Sequence, residues 1–193
     1  MPNNTIQIIA GLGNPGNEYE NTRHNAGFWF IDHLVYQYNL SLKKESKFFA
    51  EAAKVNLGAD SVWLIKPMNF MNRSGQSIAR LAQFYKIKPE QILVVHDELD
   101  LSPGTARLKQ GGGHGGHNGL RDTINQLGSK DFYRLRLGIG HPGSKEQVVG
   151  YVLGKTPASE KQLIESAIDK TMDALELIIS GDMQKAMNQL HAK

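Results

Sequence analysis

Ionisable side chains cluster at the end of one apolar segment. The stretch HDELD (His96–Asp100) directly follows the apolar run Ile92–Val95. A short run rich in branched side chains is typical of a buried strand, so the cluster is predicted to lie at the carboxyl end of a strand. A carboxylate at that place can orient an imidazole and stabilise its charged form. The stretch is therefore a candidate site of acid–base chemistry.

His24 is a second candidate for proton transfer. It stands in the segment TRHN (Thr22–Asn25), directly before a predicted helix that Asn25 could cap. Because an imidazole titrates near neutral pH, His24 is a candidate general base. Taken alone, a loop histidine is more often an exposed side chain that has no role.

The nucleophile is predicted to be water. The chain has no cysteine and no GxSxG motif, so neither a thiolate nor a serine on a nucleophile elbow is available to form an acyl-enzyme. The lack of cysteine also excludes a disulfide scaffold and fits a reducing compartment. We therefore expect a cytoplasmic protein.

The glycine-rich segment GLGNPG (11–16) matches the dinucleotide-binding pattern GxGxxG only in its letters. Pro15 removes an amide from the loop, and no helix is predicted before about residue 26, whereas a pyrophosphate site needs a helix that begins at once. The segment is better interpreted as a tight turn that presents Asn14.

A second glycine-rich segment, GGGHGGHNG (111–119), has six glycines in nine residues. It lacks the Lys-Ser/Thr ending of a P-loop, which disfavours ATP hydrolysis. A phosphate-binding nest, a mobile loop and a close approach of backbone to a ligand all remain open. His114 and His117 together with Asp97 would also suit a metal ion.

The segment Lys66–Gly75 (KPMNFMNRSG) connects a predicted strand to a predicted helix. Its aromatic, methionine and asparagine side chains could form one wall of a pocket. Asn72 or Ser74 could equally cap the helix, and the two interpretations are compatible.

The chain length and the distribution of charge limit the class of protein. At 193 residues the chain suits one domain. The net charge of +3 is concentrated in residues 101–145, which carry seven Lys/Arg against two Asp/Glu and 11 of the 20 glycines. Positive charge on flexible backbone suits a polyanion such as RNA, although a solvated surface has the same composition.

If two strands in this region present alternate side chains, Arg107 and Lys109 share a face, as do Arg134 and Arg136, forming a basic wall.

Predicted strands and helices alternate along the chain. Strands are predicted at 6–10, 50–55, 61–66, 92–95, 105–110 and 134–139, and helices at 26–38, 74–85, 120–127, 159–179 and 182–191. This order predicts one α/β domain, with a twisted mixed sheet that has a mostly parallel core, helices on both faces and a helical C-terminal end. Ligands in such folds bind where strands end, and the polar segments above fall at those points.

Six motifs in order resemble the bacterial-type peptidyl-tRNA hydrolase family. They are GLGNPG (11–16), YENTRHNAG (19–27), FMNRSG (70–75), HDELDL (96–101), GGGHGGHNGL (111–120) and FYRLRLGIGHPG (132–143). One departure is visible: Asn69 stands where the family usually has threonine, which affects a supporting contact beside Asn72.

The resemblance implies hydrolysis of the ester that joins a peptide to the 3′ end of tRNA, so that the tRNA can be reused in translation. It implies that His24 is the general base, that Asp97 orients it, and that Asn14 distinguishes an acylated amine from a free one. The other residues that it implies in binding peptide or tRNA are Tyr19, Phe70, Met71, Asn72, His117, Asn118, Arg107, Lys109 and Arg136.

The same resemblance implies a single domain over residues 1–193, no cofactor, no metal, and peptidyl-tRNA as the partner through its acceptor end and phosphate backbone. We expect a monomer that binds neither membrane nor DNA. Two other classes remain to be separated from the hydrolase: a non-catalytic RNA-binding module and a nucleotide-dependent oxidoreductase.

Overall fold

A seven-stranded mixed sheet forms the centre of the part of the chain that the computed structural model describes, residues 5–192. Its strands are β1 (Ile8–Gly11), β2 (Lys43–Glu45), β3 (Ala50–Leu57), β4 (Asp60–Pro67), β5 (Ile92–Glu98), β6 (Ala106–Gln110) and β7 (Tyr133–Gly138). They lie in the order β2-β3-β4-β1-β5-β7-β6. The neighbouring strands β4, β1, β5 and β7 run parallel to one another. The strands β2, β3 and β6 pair antiparallel with their neighbours. The predicted mixed sheet with a parallel core is confirmed.

Helices cover both faces of the sheet and form two separate apolar cores. The helices are α1 (Ala26–Gln37), α2 (Ser74–Phe84), α3 (Asn118–Leu127), α4 (Val148–Val152), α5 (Ala158–Met172), α6 (Leu175–Ser180) and α7 (Met183–Leu190). One core joins α1, α5, α6 and α7 to one face, and the other joins α2 and α3 to the opposite face. No helix within residues 5–192 is long and apolar enough to cross a bilayer.

Four elements differ from the prediction. The helix expected over 159–179 ends at Met172 and a new one begins at Leu175. The short β2 and α4 were not predicted, because neither has an apolar period long enough to detect. The strand β5 continues through Glu98, since His96 and Asp97 pair with β7 residues. The first three residues of HDELD thus belong to the strand rather than following it.

Close packing of α1 on the sheet fixes the position of the segment that precedes the helix. A Cβ atom at Gly27 would lie 2.4 Å from the carbonyl oxygen of Val95 and 2.5 Å from the amide nitrogen of Leu12. Only glycine therefore permits this approach. As a result, the start of α1 rests on the carboxyl ends of β1 and β5, and it brings His24 with it.

Candidate active site

A cleft of about 850 Å³ opens where β1 and β5 end. It is lined by every residue implied in the site except Tyr19 and Arg107, namely Asn14, His24, Phe70, Met71, Asn72, Asp97, Lys109, His117, Asn118 and Arg136. Tyr19 contacts the ring of Phe70 edge-on, with centroids 6.2 Å apart. Arg107 lies on the exposed face of β6, together with Lys109.

Asp97 is the centre of the polar network in the cleft. Its Oδ2 is 2.8 Å from Nδ1 of His24, and its Oδ1 is 2.8 Å from Nε2 of His117. The carboxylate is almost fully buried. Burial alone would raise the pKa of Asp97, but attraction to the two histidines outweighs it and holds that pKa well below its usual range. Asp97 is therefore an anion that accepts two imidazole N–H bonds.

The hydrogen-bond partners of His117 determine which of its ring nitrogens carries the proton. Its Nδ1 accepts hydrogen bonds from the backbone amides of Gly119 and Leu120, at 3.1 and 3.3 Å. Nε2 must then carry the proton that it donates to Asp97. His117 thus caps the N-terminus of α3 and joins that helix to the carboxylate.

His24 is held in the opposite tautomer. Because Nδ1 donates to Asp97, the lone pair of the neutral ring lies on Nε2. Nε2 has no hydrogen-bond partner among residues 5–192. Burial lowers the pKa of His24, but the charge and hydrogen bond of Asp97 raise it more, so that the net pKa lies above its usual 6.5. This arrangement gives His24 a basic nitrogen at the cleft.

A third histidine, His96, also contacts Asp97; the sequence placed it in the ionisable cluster HDELD but indicated no role of its own. Its Nδ1 donates to the backbone carbonyl of Asp97 at 2.7 Å, and its ring meets His117 edge-on at 5.2 Å. Burial and the neighbouring His117 lower the pKa of His96 to about 4. It is therefore neutral at physiological pH, and its buried Nε2 has no hydrogen-bond partner among residues 5–192.

Asn14 is fixed so that it offers only donors to the cleft. Its Oδ1 accepts from the amide of Met71 at 2.7 Å, which leaves its Nδ2 hydrogens for a ligand. Asn25 exchanges two hydrogen bonds with the backbone of Asn14, at 2.8 and 3.0 Å. The prediction that Asn25 caps α1 is wrong, because its side chain is used in this clamp and makes no cap hydrogen bond.

The predicted basic wall is only partly present. Arg134 is 2% exposed, and its guanidinium donates to the carbonyl oxygen of Gly112 at 2.7 Å. Burial lowers the pKa of Arg134 to about 10, which leaves it a cation that pins the glycine-rich loop. Arg136 is paired with Glu98 at 2.8 Å. Arg134 on β7 therefore stabilises the glycine-rich loop and is not available to bind a ligand.

The remaining polar side chains of the cleft have few protein contacts. Asn72 is exposed, and Oδ1 of Asn118 accepts from Arg121 at 3.2 Å. Asn69 lies 3.5 Å from the carbonyl of Arg73, at the start of α2. Within the glycine-rich segment 111–119, Gly111, Gly112, Gly115 and Gly116 adopt positive φ.

The residues that could hold a metal ion differ from those expected. Ligand atoms of His24, Asp97 and His117 lie within 4.8 Å of one another, the only such group among residues 5–192. His114 is not part of it, because its Nδ1 accepts from the amide of Gly116. Both carboxylate oxygens of Asp97 already accept a hydrogen bond from an imidazole. A metal ion at this place would have to displace the protons on Nδ1 of His24 and Nε2 of His117.

Comparison with known proteins decides the family. The family model described as Peptidyl-tRNA hydrolase matches residues 8–193. The chain belongs to the peptidyl-tRNA hydrolase family. A peptidyl-tRNA hydrolase of Neisseria gonorrhoeae is 58% identical over 190 residues, covering 98% of this chain and 99% of that protein. One of Tolumonas auensis is 56% identical over 188 residues, covering 97% and 95%.

Solved structures agree with this assignment. The crystal structure of peptidyl-tRNA hydrolase from Acinetobacter baumannii superposes with a TM-score of 0.94 at 52% identity, covering 98% of this chain and 96% of that one. The resemblance read from the six motifs is confirmed. The fold is that of a peptidyl-tRNA hydrolase over nearly its whole length.

Proposed function

We propose that the protein hydrolyses peptidyl-tRNA by attack of water on the ester between the peptide and the 3′ end of tRNA, with His24 as general base. Family membership supports the reaction. One observation supports the mechanism: the hydrogen bond from Nδ1 of His24 to Asp97 leaves the lone pair of His24 on Nε2, which lies at the cleft. A non-catalytic RNA-binding module would have no need of this pair.

In the proposed first step, Nε2 of His24 takes a proton from water as the oxygen attacks the ester carbonyl. The imidazolium that forms is stabilised by the buried carboxylate of Asp97, which is already ionised. The same proton is then given to the 3′ oxygen of the ribose as the acyl–oxygen bond breaks. General base catalysis contributes about 10² to 10⁴-fold, which suits an ester that is already activated.

Asn14 is proposed to recognise the peptide. Since its Oδ1 is occupied by Met71, its Nδ2 can donate to a carbonyl oxygen of the acylated amino group or to the developing oxyanion. The free ammonium of aminoacyl-tRNA has donors only, so it cannot pair with this side chain. The arrangement favours substrates whose amino group is acylated.

The positioning and binding roles follow from the same contacts. Because both ring nitrogens of His117 have protein partners, we propose that it positions Asp97 and α3. Asn72 and Asn118 bind the 3′ end and the peptide, and Phe70, Met71 and Tyr19 form an apolar wall. Lys109, Arg107 and Arg136 meet tRNA phosphates.

All residues of the proposed mechanism come from one chain, so we propose that a monomer is active and acts in the cytoplasm, where its substrate is found. No step of the mechanism uses a metal or a cofactor.

Hydrolysis in water labelled with ¹⁸O tests the proposal. Attack on the carbonyl predicts that one labelled oxygen enters the peptide carboxylate and none enters the released tRNA. Single-turnover measurements are expected to show no covalent peptide adduct. Binding of N-acetyl-aminoacyl-tRNA without any turnover would contradict the enzyme and support the RNA-binding module.

A further inference from the structure

A second concentration of positive charge lies outside the cleft. Residues 43–88 carry nine Lys/Arg and three Asp/Glu, whereas the flanking stretches 1–42 and 89–100 are acidic. The first 100 residues have no net charge because the basic stretch is balanced by its two acidic flanks. A surplus of this size is the composition expected of a surface that meets a polyanion.

Exposed aromatic side chains lie within this basic region. Phe84 is 60% exposed, Tyr85 40% and Phe49 38%. They pack beside cations: Nζ of Lys47 is 4.5 Å from the ring centroid of Phe84, and the guanidinium of Arg80 is 4.6 Å from that of Phe49. We call these five residues the basic aromatic face.

The buried Phe48 and the partly buried Trp63 support the basic aromatic face from below. The ring of the buried Phe48 meets Phe84 at 5.7 Å and Tyr85 at 6.3 Å, and Trp63 meets Tyr85 at 5.1 Å. The exposed rings are thus held on a firm base and lose little freedom when they bind a ligand.

The cations of this face have no acidic partner. Among the salt bridges formed within residues 5–192, none includes Lys47 or Arg80, nor their exposed neighbours Lys43, Lys44 and Lys86. Elsewhere in the chain, Arg23 and Lys66 are each paired with a carboxylate at 2.8 Å. The charge of the basic aromatic face is therefore available to a ligand.

The face is separate from the cleft but begins beside it. None of its five residues lines the cleft. The carbonyl of Phe49 accepts from the amide of Met68, two residues before Phe70 of the cleft wall. From there the face follows α2, near the β2 edge of the sheet, whereas Arg107 and Lys109 lie on β6 at the opposite edge.

We propose that the basic aromatic face binds RNA. Lys47 and Arg80 would contact phosphates, and unpaired bases would stack on Phe84, Tyr85 and Phe49, as single-stranded nucleic acids do on basic surfaces that carry aromatic rings. The RNA is either a part of the substrate tRNA beyond its acceptor end or an unpaired stretch of another molecule. The face takes no part in ester cleavage.

Fluorescence anisotropy with two labelled probes, deacylated tRNA and a single-stranded RNA dodecamer of mixed sequence, tests the proposal. Phe84→Ala is expected to weaken binding about five- to 100-fold by loss of stacking. Lys47→Glu is expected to weaken it and to reduce the dependence of log K on log salt by about 0.7 or more for the single strand.

Matched controls lie on the other side of the sheet. Tyr36 on α1 is 88% exposed, and the side chain of Lys185 on α7 is 74% exposed. Tyr36→Ala and Lys185→Ala are expected to bind both probes like the wild type. All variants should remain folded at the assay temperature and show the same turnover of an N-acetyl-aminoacyl ester of a CCA trinucleotide.

Each outcome decides the proposal. Weaker binding of tRNA by the two face variants assigns the face to the substrate, and weaker binding of the dodecamer alone assigns it to another RNA. Unchanged binding of both probes overturns the proposal. Binding of a labelled acidic peptide that depends on Phe84, with RNA binding unchanged, also overturns it and makes the face a protein-docking surface.

Discussion

At the scale of residues, a single carboxylate organises the polar network of the proposed active site. The side chain of Asp97 accepts from His24 and His117, and its backbone carbonyl accepts from His96. The residue types were visible in the sequence as a cluster of ionisable groups. Their mutual orientation was not, because 73 residues separate His24 from Asp97 and only the fold brings them together.

Asp97→Asn tests the role of the carboxylate. An amide has one acceptor oxygen, so it cannot accept from both imidazoles, and kcat/KM is expected to fall about 10³ to 10⁴-fold. As the proposed general base, His24 acts only when neutral, so wild-type activity is expected to be lost as the pH falls through its raised pKa, above 6.5. Without the anion that pKa falls, and the acid limb should move to lower pH.

The measurement is kcat/KM for N-acetyl-aminoacyl-tRNA between pH 5 and 9, with Asp131→Asn as a control at an exposed loop position. An Asp97→Asn profile with the wild-type midpoint would show that Asp97 does not set the basicity of His24.

Asn14→Asp tests the recognition of the acylated amine. The new carboxylate can still accept from the amide of Met71, so the local structure should be retained. It replaces a donor by an acceptor that attracts a free ammonium. The ratio of kcat/KM for blocked over unblocked aminoacyl-tRNA is expected to fall at least about tenfold. An unchanged ratio would assign the discrimination to another residue.

At the scale of elements, hydrophobic periodicity located the long helices and the central strands but not their ends. It missed α4 and β2, which are held by tertiary contacts, and it extended one helix across Asp173 and Ala174. It placed Arg134 beside Arg136 on an accessible face, yet the glycine-rich loop covers Arg134. Loop conformation is a property of the whole fold, and no local pattern predicts it.

Gly27→Ala tests the packing that seats the start of α1. A methyl group would meet backbone atoms of Val95 and Leu12, which cannot move without disturbing the sheet. Unfolding by urea is expected to show a loss of about 1–3 kcal/mol, with a reduced kcat because His24 shifts. Gly150→Ala is the matched control, since a Cβ there meets nothing within 4 Å and alanine favours α4. Equal stability of the two variants would refute the close approach.

At the scale of the whole molecule, the residues proposed for catalysis and for tRNA binding lie on different strands of one sheet. Strands β1 and β5 end at the proposed catalytic centre, while β6 carries Arg107 and Lys109 at one edge. The sequence correctly indicated a basic region at residues 101–145, because charge can be counted without a structure. It did not reveal the surplus in 43–88, because acidic flanks cancelled it in the sum.

Lys109→Ala tests the contact with tRNA phosphates. Loss of one phosphate contact is expected to raise KM with little change in kcat and to lower the salt slope of tRNA binding by about 1. Lys185→Ala, on the opposite face, should leave both unchanged. A lower kcat with an unchanged salt slope would place Lys109 in the chemistry instead.

The most direct test of the mechanism is turnover by His24→Ala, measured together with the Kd for tRNA. Removal of the general base is expected to reduce kcat for N-acetyl-aminoacyl-tRNA by about 10² to 10⁴-fold while the Kd stays within about twofold of the wild type. A His24→Ala variant that keeps the wild-type kcat would contradict the assignment of His24 as the base.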